Sequence, residues 1–426
     1  MSDSLNILTL VRLGDPLHQR RAVLEKECFL SRFAKNHNYV THNFSLPLPE
    51  YVKDISFDAV LLTQSFLGGR NSEAINNRRE NYFADLVKSI PFKIALPQDD
   101  YTCSETLDSL FCKWDVDLVY PACCDHWEVL YPKFSRIGRL KQGFTGYISE
   151  DLIDETFRVK PFQARSIDVS YRAAKLSPVF GRMGKIKTEF GQLFEKHAQG
   201  TGLKTDISVR PQDTIYDRDW YGFIENSKSM LGVNSGSSLQ DSNGEIHKSI
   251  CNYLVENPKA TFEEIEQVCF PELDGQTIFT AVSPRNLECA LLKTAQVLAP
   301  GHYGGFLEAW KDYIPLEPDM SNFKEVYDLL MKEDFIVSMT ARCRDKVLSF
   351  PELRYANHVD DIIGEVQDKC SLSYSGREAS IPLIQKYNEE MVGIEKTFWR
   401  RKRLQIKLRN SFGNLGLRKL KKLLTS

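Results

Sequence analysis

Hydrophobic and polar positions in the first 145 residues alternate between short apolar runs and longer segments with helical spacing. The apolar runs predict buried β-strands at 6–11, 57–62, 92–96 and 116–120. Between them, apolar residues recur three or four positions apart and predict helices at 17–35, 71–89 and 107–114. Strands that alternate with helices are typical of a doubly wound α/β lobe with a parallel sheet.

The same alternation resumes after residue 165 and predicts a second lobe of the same type. The predicted strands are 167–171, 205–209 and 230–233, and the predicted helices are 185–196, 220–227, 287–297 and 323–331. Periodicity is lost around Gly146 and Pro161, which indicates a linker. We therefore predict two Rossmann-like lobes facing across a cleft, with these boundaries: first lobe 1–145, linker 146–165, second lobe 166–365, and a helix at 366–395 returning toward the first lobe.

Composition adds that this is an ordinary globular chain, with 42% hydrophobic and 26% charged residues. The 10 cysteines show no paired CxxC spacing, so we expect reduced thiols and no metal site. The N-terminus lacks the basic start and apolar run of a signal peptide, and no apolar stretch reaches the length of a membrane span. These features predict a cytoplasmic protein.

The formal net charge of −2 hides a division along the chain. Residues 396–426 contain eleven Lys or Arg and no Asp or Glu, which leaves 44 basic and 57 acidic residues elsewhere. A tail of +11 therefore follows a body of −13. Charge asymmetry of this kind indicates an anionic partner for the tail. The acidic body and the absence of a recognisable nucleic-acid-binding motif argue against nucleic acid as that partner.

Leucine and phenylalanine recur three or four positions apart in the tail, with cations on the other face. This pattern is typical of an amphipathic helix at an anionic membrane surface. Gly413 and Gly416 predict two short helices rather than one. The alternative is a helix docked on the acidic body. The tail residues expected to meet the membrane are Trp399, Arg400, Arg401, Lys402 and Arg403.

Two segments of the second half have the composition of anion-binding sites. Ser235, Gly236 and Ser237 follow a predicted strand and offer backbone and hydroxyl donors to a phosphate. Ser283 and Arg285 begin a predicted helix, where the helix dipole and a guanidinium favour an anion. Each feature alone also fits a structural role, as a surface loop and as an ordinary helix start.

With these residues in view, the second half resembles the nucleotide-binding lobe of GT-B glycosyltransferases, particularly those of bacterial capsule and O-antigen clusters. In that family a glutamate at the start of a helix binds the ribose of the nucleotide sugar, and Glu288 stands at the matching place. A family Gly-Arg pair is similar to Gly181 and Arg182. The segment 313–322 and the turn 98–101 also resemble family motifs.

The resemblance implies a set of donor-binding residues in the second lobe. They are Gly181, Arg182, Ser235, Gly236, Ser237, Ser283, Arg285, Glu288, Gly304 and Gly305. A site without metal must stabilise the leaving diphosphate with side-chain cations, for which Arg182, Arg285 and then Lys187 are the candidates. Many retaining members carry a second glutamate eight positions before the first, where this chain has Thr280, so stereochemistry stays open.

A transfer that inverts the sugar needs a base beside the acceptor hydroxyl. Asp99 and Asp100 end a predicted strand of the first lobe and are the candidates, with Asp100 preferred. The Asp-x-Asp pattern at Asp217 and Asp219 and the residues around His126 are interpreted as ordinary loops.

The resemblance implies a glycosyltransferase that needs no cofactor. It would move a sugar from a nucleotide-sugar donor to a lipid-linked or growing glycan acceptor in surface polysaccharide synthesis. The tail would hold it on the inner face of the plasma membrane. Two alternatives stay open: a non-catalytic scaffold of the same fold, which the threonine at 280 favours, and a nucleotide-sugar epimerase.

Overall fold

The computed structural model describes residues 4–16, 21–153, 159–216, 218–369 and 374–424 of the chain. In these ranges the strands form a six-stranded sheet, a five-stranded sheet and a two-stranded antiparallel sheet. Both large sheets are parallel throughout. The predicted fold class, two doubly wound α/β lobes followed by a C-terminal helix, is confirmed.

The first lobe is built on the six-stranded sheet, in the order β2-β1-β3-β4-β5-β6. Its strands are β1 (Asn6–Val11), β2 (Asn38–Asn43), β3 (Ala59–Leu62), β4 (Phe92–Ala95), β5 (Leu118–Val119) and β6 (Arg139–Leu140). Its helices are α1 (Arg21–Phe33), α2 (Gln64–Leu67), α3 (Glu73–Ser89), α4 (Ser104–Lys113) and α5 (Trp127–Leu130). Every residue of β1, β3 and β4 is buried because helices cover both faces of the sheet.

The second lobe is built on the five-stranded sheet, in the order β13-β12-β9-β7-β8. Its strands are β7 (Ile167–Arg172), β8 (Thr205–Ser208), β9 (Ser227–Gly232), β12 (Ala295–Leu298) and β13 (Ile314–Pro315). The two-stranded sheet consists of β10 (Ser235–Ser237) and β11 (Phe279–Ala281). Its helices are α6 (Gly181–Ala198), α7 (Arg218–Glu225), α8 (Glu245–Glu256), α9 (Phe262–Cys269), α10 (Pro284–Leu291), α11 (Phe323–Leu330), α12 (Glu333–Leu348) and α13 (Tyr355–Lys369).

One predicted helix is wrong, because the segment 287–297 holds the end of a helix and the start of a strand. Helix α10 ends at Leu291, and the backbone of Lys293 has a left-handed φ of 51° that stops it. Residues 295–298 then form β12, which is wholly buried between β9 and β13. A strand that is apolar on both faces has no period of two, so its pattern resembles that of a buried helix.

The segment between β9 and α10 was not predicted, and it joins the two lobes. Helices α8 and α9, which lie between β10 and β11 in the chain, form a small apolar core with Val179 and Leu239. The backbone N–H of Cys103 donates to the carbonyl of Asp241 at 2.6 Å, and the N–H of Asp241 donates to the carbonyl of Tyr101 at 3.1 Å. These main-chain bonds hold the first lobe against the second along one side of the cleft.

The last helix, α14 (Tyr374–Leu424), spans 51 residues and packs along the first lobe. Arg377 forms an ion pair of 2.7 Å with the fully buried Asp58, and the Tyr387 hydroxyl lies 2.8 Å from His42 Nδ1. The prediction of two short helices is wrong, since the backbone stays helical through residues 413–416. Glycine in a helix costs only about 1 kcal/mol relative to alanine, which a long helix tolerates.

The start of the basic tail is docked on the body rather than presented to a membrane. Trp399 is only 7% exposed, and Arg403 pairs with Asp15 at 2.7 Å. Lys402 lies over the rings of Phe398 and Trp399. The docked alternative therefore describes this stretch, because the indole buries more apolar area against the first lobe than it would expose.

Arg400 and Arg401 are exposed on the same helix. Side chains from Leu408 onward, with the rest of the predicted leucine stripe, lie outside the described residues. Within the described part of the chain, no helix combines the length and the apolar character needed to cross a bilayer.

Candidate functional site

A cavity of about 530 Å³ opens at the carboxyl ends of β7 and β8 in the second lobe. We call it the donor cavity. Its walls are the loops 172–175 and 208–216, the first turns of α7, and the start of α10 from Ser283 to Glu288. In doubly wound sheets ligands bind at this end of the strands, because the loops there diverge and leave a crevice.

Glu288 contributes a carboxylate to the wall of the donor cavity, one turn into α10. Its Oε2 accepts a hydrogen bond of 2.7 Å from the indole Nε1 of Trp220, which fixes the orientation of the group. Burial raises the pKa of Glu288 to about 6. Its Oε1 accepts no hydrogen bond from any described residue and is available to a ligand.

Arg285 supplies a cation to the donor cavity and forms no ion pair with any described residue, although its charge opposes the rise in the pKa of Glu288. Its guanidinium lies 5.6 Å from the ring centroid of Tyr171 and 5.5 Å from that of Trp220, and it donates to the carbonyl of Arg172. Its buried Nε has no partner among the described residues. The charge of Arg285 is therefore free to act on an anion in the cavity.

Two of the other cations of the donor cavity form ion pairs with carboxylates, and a third does not. Arg172 pairs with Asp206 at 2.6 Å, and Arg210 pairs with Asp213 at 2.7 Å. Lys175 lines the cavity and makes no hydrogen bond or ion pair with any described residue. Sequence reasoning missed Lys175 because nothing in its local pattern distinguishes it from an ordinary surface lysine.

Aromatic side chains form another wall of the donor cavity. Tyr216, Trp220 and Tyr221 all line it, and Tyr216 is 49% exposed. Flat rings at the edge of a cavity offer a stacking surface for a planar ligand such as a nucleobase. These residues were also missed, although three aromatic residues within six positions would have been a usable signal.

Gly181 and Arg182 do not reach the donor cavity, so their predicted role is corrected. The Arg182 side chain is 60% exposed and pairs with Glu266 at 2.7 Å, while its backbone N–H donates to Asp274 at 2.9 Å. Gly181 has a φ of 63°, and a Cβ there would lie 2.2 Å from a carboxylate oxygen of Asp274. The protein's own carboxylate thus occupies the start of α6, where an anionic ligand was expected.

The glycine- and serine-rich segment is a strand rather than a phosphate-binding loop. Ser235 and Gly236 belong to β10, and the buried Ser237 hydroxyl bonds to the backbone of Leu239. Gly304 and Gly305 form a turn packed on β11. Ser235, Gly236 and Ser237 pair with β11, Gly304 and Gly305 lie in the neighbouring turn, and none of these residues lines the donor cavity.

A second cavity, of about 410 Å³, lies between the lobes, and we call it the interlobe cavity. The first lobe contributes Gln64 to Ser65, 68–71, Gln98 to Asp99, and Thr102. The second lobe contributes Ser177, Val179, Phe180 and His247. Hydroxyl, amide and guanidinium groups dominate its first-lobe side.

The two adjacent aspartates face opposite ways, which corrects the preference for Asp100. Asp100 is 0% exposed, and its Oδ2 accepts the backbone N–H of Ala122 at 3.0 Å; burial raises its pKa to about 6. Asp99 is exposed and lines the interlobe cavity, and its Oδ1 accepts the Tyr101 hydroxyl at 2.9 Å. Asp99 is therefore the carboxylate that an acceptor in this cavity would meet.

Lys187 lies on α6 between the two cavities. Burial and, to a smaller extent, the charge of Arg285 lower the pKa of Lys187 to about 8, while the charge of Asp99 opposes this shift. Its ammonium group has no hydrogen-bond partner within the described ranges. Lys187 is thus electrostatically coupled to a residue of each cavity.

An acid from the first lobe stands beside Thr280, where the resemblance expected a glutamate. The Thr280 hydroxyl donates to Asp125 Oδ2 at 3.3 Å, and the buried Asp125 Oδ1 has no partner among the described residues. His126 is exposed, with its ring 5.9 Å from that of Phe279. Asp125 and Thr280 are 155 positions apart and only the fold brings them together, so no local pattern could predict this contact. Asp217 lies outside the described residues, and elsewhere no three His, Cys, Asp or Glu side chains converge on one point.

The sequence matches no protein-family model and no curated protein. Solved structures do resemble it in fold. The DNA-modifying enzyme β-glucosyltransferase, solved with and without uridine diphosphoglucose, has a TM-score of 0.50 and 9% identity over 85% of this chain and 100% of its own. An α-glucosyltransferase bound to UDP and a 13-mer DNA scores 0.48 with 10% identity, covering 86% and 100%. Anabaena HepE, bound to UDP and glucose, scores 0.43 with 11% identity over the same shares. The chain thus has the two-lobed GT-B fold of glycosyltransferases.

Proposed function

We propose that this protein is a glycosyltransferase that uses a nucleoside diphosphate sugar. The donor binds in the donor cavity, and the acceptor hydroxyl binds in the interlobe cavity. One observation carries the proposal: an oriented carboxylate, an arginine that forms no ion pair with a described residue, and aromatic rings share a cavity of about 530 Å³ at the carboxyl ends of parallel strands. A nucleotide needs each of these groups, for its ribose, its diphosphate and its base.

Each part of the donor has a partner in the donor cavity. Glu288 Oε1 accepts hydrogen bonds from ribose hydroxyls, because Trp220 already holds Oε2. Arg285 and Lys175 attract the diphosphate, and Tyr216 stacks on the base. UDP is the nucleotide to test first, since the similar β-glucosyltransferase structure was solved with uridine diphosphoglucose.

Transfer breaks the bond between the anomeric carbon and the diphosphate oxygen and forms one to the acceptor oxygen. The acceptor proton passes to Asp99, which lines the interlobe cavity. Negative charge that develops on the diphosphate is stabilised by Arg285 and by Lys187, which lies between the cavities. The stereochemistry of the product is left to experiment.

The acceptor that we propose is a lipid-linked or growing glycan in surface polysaccharide synthesis. The hydroxyl and amide groups of Gln64, Ser65 and Gln98 on the interlobe cavity suit sugar hydroxyls. A DNA acceptor, as acted on by the similar DNA-modifying enzyme, is the competing outcome. A scaffold would bind donor without turnover, and an epimerase would convert free donor without an acceptor.

Titration calorimetry with UDP tests the donor site. The wild-type protein should bind UDP, and Glu288→Gln should weaken binding about tenfold, because a hydrogen bond to a charged acceptor is lost. The matched control is Glu266→Gln, which changes a carboxylate that pairs with Arg182 outside the cavity. Absence of UDP binding, or equal effects of the two variants, would contradict the assignment. Incubation with UDP-glucose, with and without glycan acceptors, then separates transfer from scaffolding and epimerisation.

We also propose that α14 attaches the enzyme to the inner face of the plasma membrane. Arg400 and Arg401 are exposed, as are Leu404 and Ile406, at 59% and 57%. Five further cations follow Lys407 in the sequence. Exposed cations beside apolar side chains favour an anionic lipid surface.

Vesicle flotation tests this attachment. A truncation after Lys407 keeps the docked residues Trp399 and Arg403 but removes five cations. It should lose binding to phosphatidylglycerol vesicles that the full chain binds at low salt. Equal flotation of the truncated and full chains would exclude a membrane role for 408–426.

A further inference from the structure

Three arginines gather around a pair of glycines on the first-lobe side of the interlobe cavity. Gly68, Gly69 and Arg70 line the cavity directly. Arg12 stands behind them, since a Cβ on Gly69 would lie 3.0 Å from both of its terminal nitrogens. Arg79, from α3, donates to the carbonyl of Gly68 at 2.9 Å. We call Arg12, Arg70 and Arg79, with the two glycines, the arginine pocket.

No guanidinium of the arginine pocket has a carboxylate partner among the described residues. Arg70 donates only to main-chain carbonyls, at 2.7 to 3.2 Å, those of Leu67, Gln98, Asp99 and Thr102. Arg12 Nε donates to the carbonyl of Ser65 at 3.3 Å, and Arg79 donates to carbonyls and to the Asn76 amide. Carbonyl oxygens satisfy the hydrogen bonds of a guanidinium, but they leave its charge uncompensated.

The carboxylates at this end of the first lobe have other hydrogen-bond partners. Glu27 accepts from the Ser65 hydroxyl at 2.6 Å and from its N–H at 3.0 Å. Asp99 and Asp100 accept from Tyr101 and from the loop at Ala122 respectively. Each of these acids therefore leaves the three guanidinium groups without a direct counterion.

A further cation, Lys26, lies at this edge of the first lobe, where the charges of Glu27, Asp100 and Asp99 partly offset its own. Lys26 is buried, and its Nζ lies 3.4 Å from the Oε1 of Gln98, which lines the interlobe cavity. Burial, together with the charges of Arg70 and Arg12, lowers the pKa of Arg79 to about 10. Cations that repel one another in the free protein gain stability when an anion binds between them.

We infer that the arginine pocket binds a phosphate ester carried by the acceptor, beside Asp99. This inference rests on the proposed function and names the acceptor's chemical class. A planar guanidinium offers paired donors that match phosphate oxygens. Gly69 has a φ of 70°, and a Cβ there would crowd both Ile75 and the Arg12 guanidinium, so only glycine leaves this approach to Arg12 without a further side chain. The phosphate of a lipid-linked glycan is the source that fits the proposed acceptor.

The test uses the full chain with its donor site filled by saturating UDP. The probes are glucose 1-phosphate and methyl glucoside, which differ in the phosphate, and both are titrated by calorimetry. Asn71→Glu adds a carboxylate to the exposed rim of the cavity without touching the arginine hydrogen bonds, and Asn71→Gln is its neutral control. Arg12→Gln removes one cation whose side chain makes one hydrogen bond to the described residues.

Glucose 1-phosphate should bind at least about tenfold more tightly than methyl glucoside. Asn71→Glu should weaken its binding about tenfold, Arg12→Gln should weaken it severalfold, and Asn71→Gln should leave it within about twofold. Equal affinity for the two probes, or equal effects of Asn71→Glu and Asn71→Gln, would overturn the inference. If the wild-type protein does not bind UDP, the proposed function itself is overturned instead.

Competition separates the sources of phosphate. Decyl phosphate should displace glucose 1-phosphate, which supports a lipid-linked acceptor. Displacement by a thymidine oligonucleotide and not by decyl phosphate would overturn the lipid source in favour of nucleic acid.

Discussion

The donor cavity and the interlobe cavity both hold arginines, but they hold them differently. In the donor cavity, Arg285 packs between aromatic rings and gives a single hydrogen bond to a carbonyl. In the interlobe cavity, Arg70 gives four hydrogen bonds to main-chain carbonyls and cannot move without disturbing two loops. A lightly held cation can follow charge that develops on a departing diphosphate, whereas a rigid one suits an anion whose position does not change.

The carboxylates of the two cavities also differ in their hydrogen-bond donors and in their proposed roles. Glu288 is oriented by an indole donor, and Asp99 by a tyrosine hydroxyl two residues away. Glu288 keeps its position to bind, while Asp99 must gain and release a proton. Four predictions test this division between binding and proton transfer.

The largest effect should come from Asp99→Asn. Removing the base should lower kcat by about a hundredfold or more, because an amide cannot take the acceptor proton. The affinity for UDP should not change, since Asp99 lies outside the donor cavity. Initial-rate kinetics with calorimetry measure both quantities. A variant with normal kcat would remove Asp99 from the reaction.

Asp100→Asn should affect stability rather than donor binding. The buried carboxylate accepts the backbone N–H groups of Ala122 and Cys123, so an amide there loses charge-assisted hydrogen bonds. We expect the free energy of unfolding in urea to fall by about 1–3 kcal/mol. Unchanged stability together with lost turnover would restore Asp100 as the base.

Trp220→Phe should weaken UDP binding by about tenfold. The ring is kept, but Glu288 loses the donor that orients its carboxylate, which is worth about 1 kcal/mol or slightly more. Phe223 provides the comparison, because it neighbours Trp220 on α7 and does not line the donor cavity. Phe223→Leu should leave UDP affinity nearly unchanged, and an equal loss would point to general disruption of α7.

The smallest effect is a pH dependence of donor binding. Burial raises the pKa of Glu288 to about 6, so lowering the pH from 8 to 6 converts half of the ligand-binding carboxylate to the neutral acid. Affinity for UDP should fall about twofold over that range from this group alone. The Glu288→Gln variant supplies the baseline, because any pH dependence that remains in it belongs to UDP or to other residues.

The local pattern of apolar and polar residues was sufficient to predict those strands and helices whose faces are plainly apolar or polar. Strand β1 has the predicted bounds, and α3 and α11 differ from prediction by a few residues. Strand β2 was missed because its edge position lets polar residues such as Asn38 and Thr41 alternate with apolar ones. Strand β12 was mistaken for helix because it is buried on both faces.

The candidate site was predicted only where one segment carries all of it. Ser283, Arg285 and Glu288 lie within one turn and a half of α10, and the structure places them in one cavity. Arg182 was misplaced because Asp274, which binds its backbone N–H, is 92 positions away in the chain. The arginine pocket was not foreseen, since no local rule shows that carbonyls rather than carboxylates surround an arginine.

The ion pair between Arg377 and Asp58 determines in which order parts of this protein can fold during synthesis. Asp58 is buried at the start of the third strand, and its counterion lies 319 residues later. A ribosome has synthesised most of the second lobe before that cation exists, so the first lobe folds without the Arg377 charge beside Asp58. The contact between α14 and β2 likewise forms last. The lobe that is translated first is therefore completed only when the end of the chain folds back onto it.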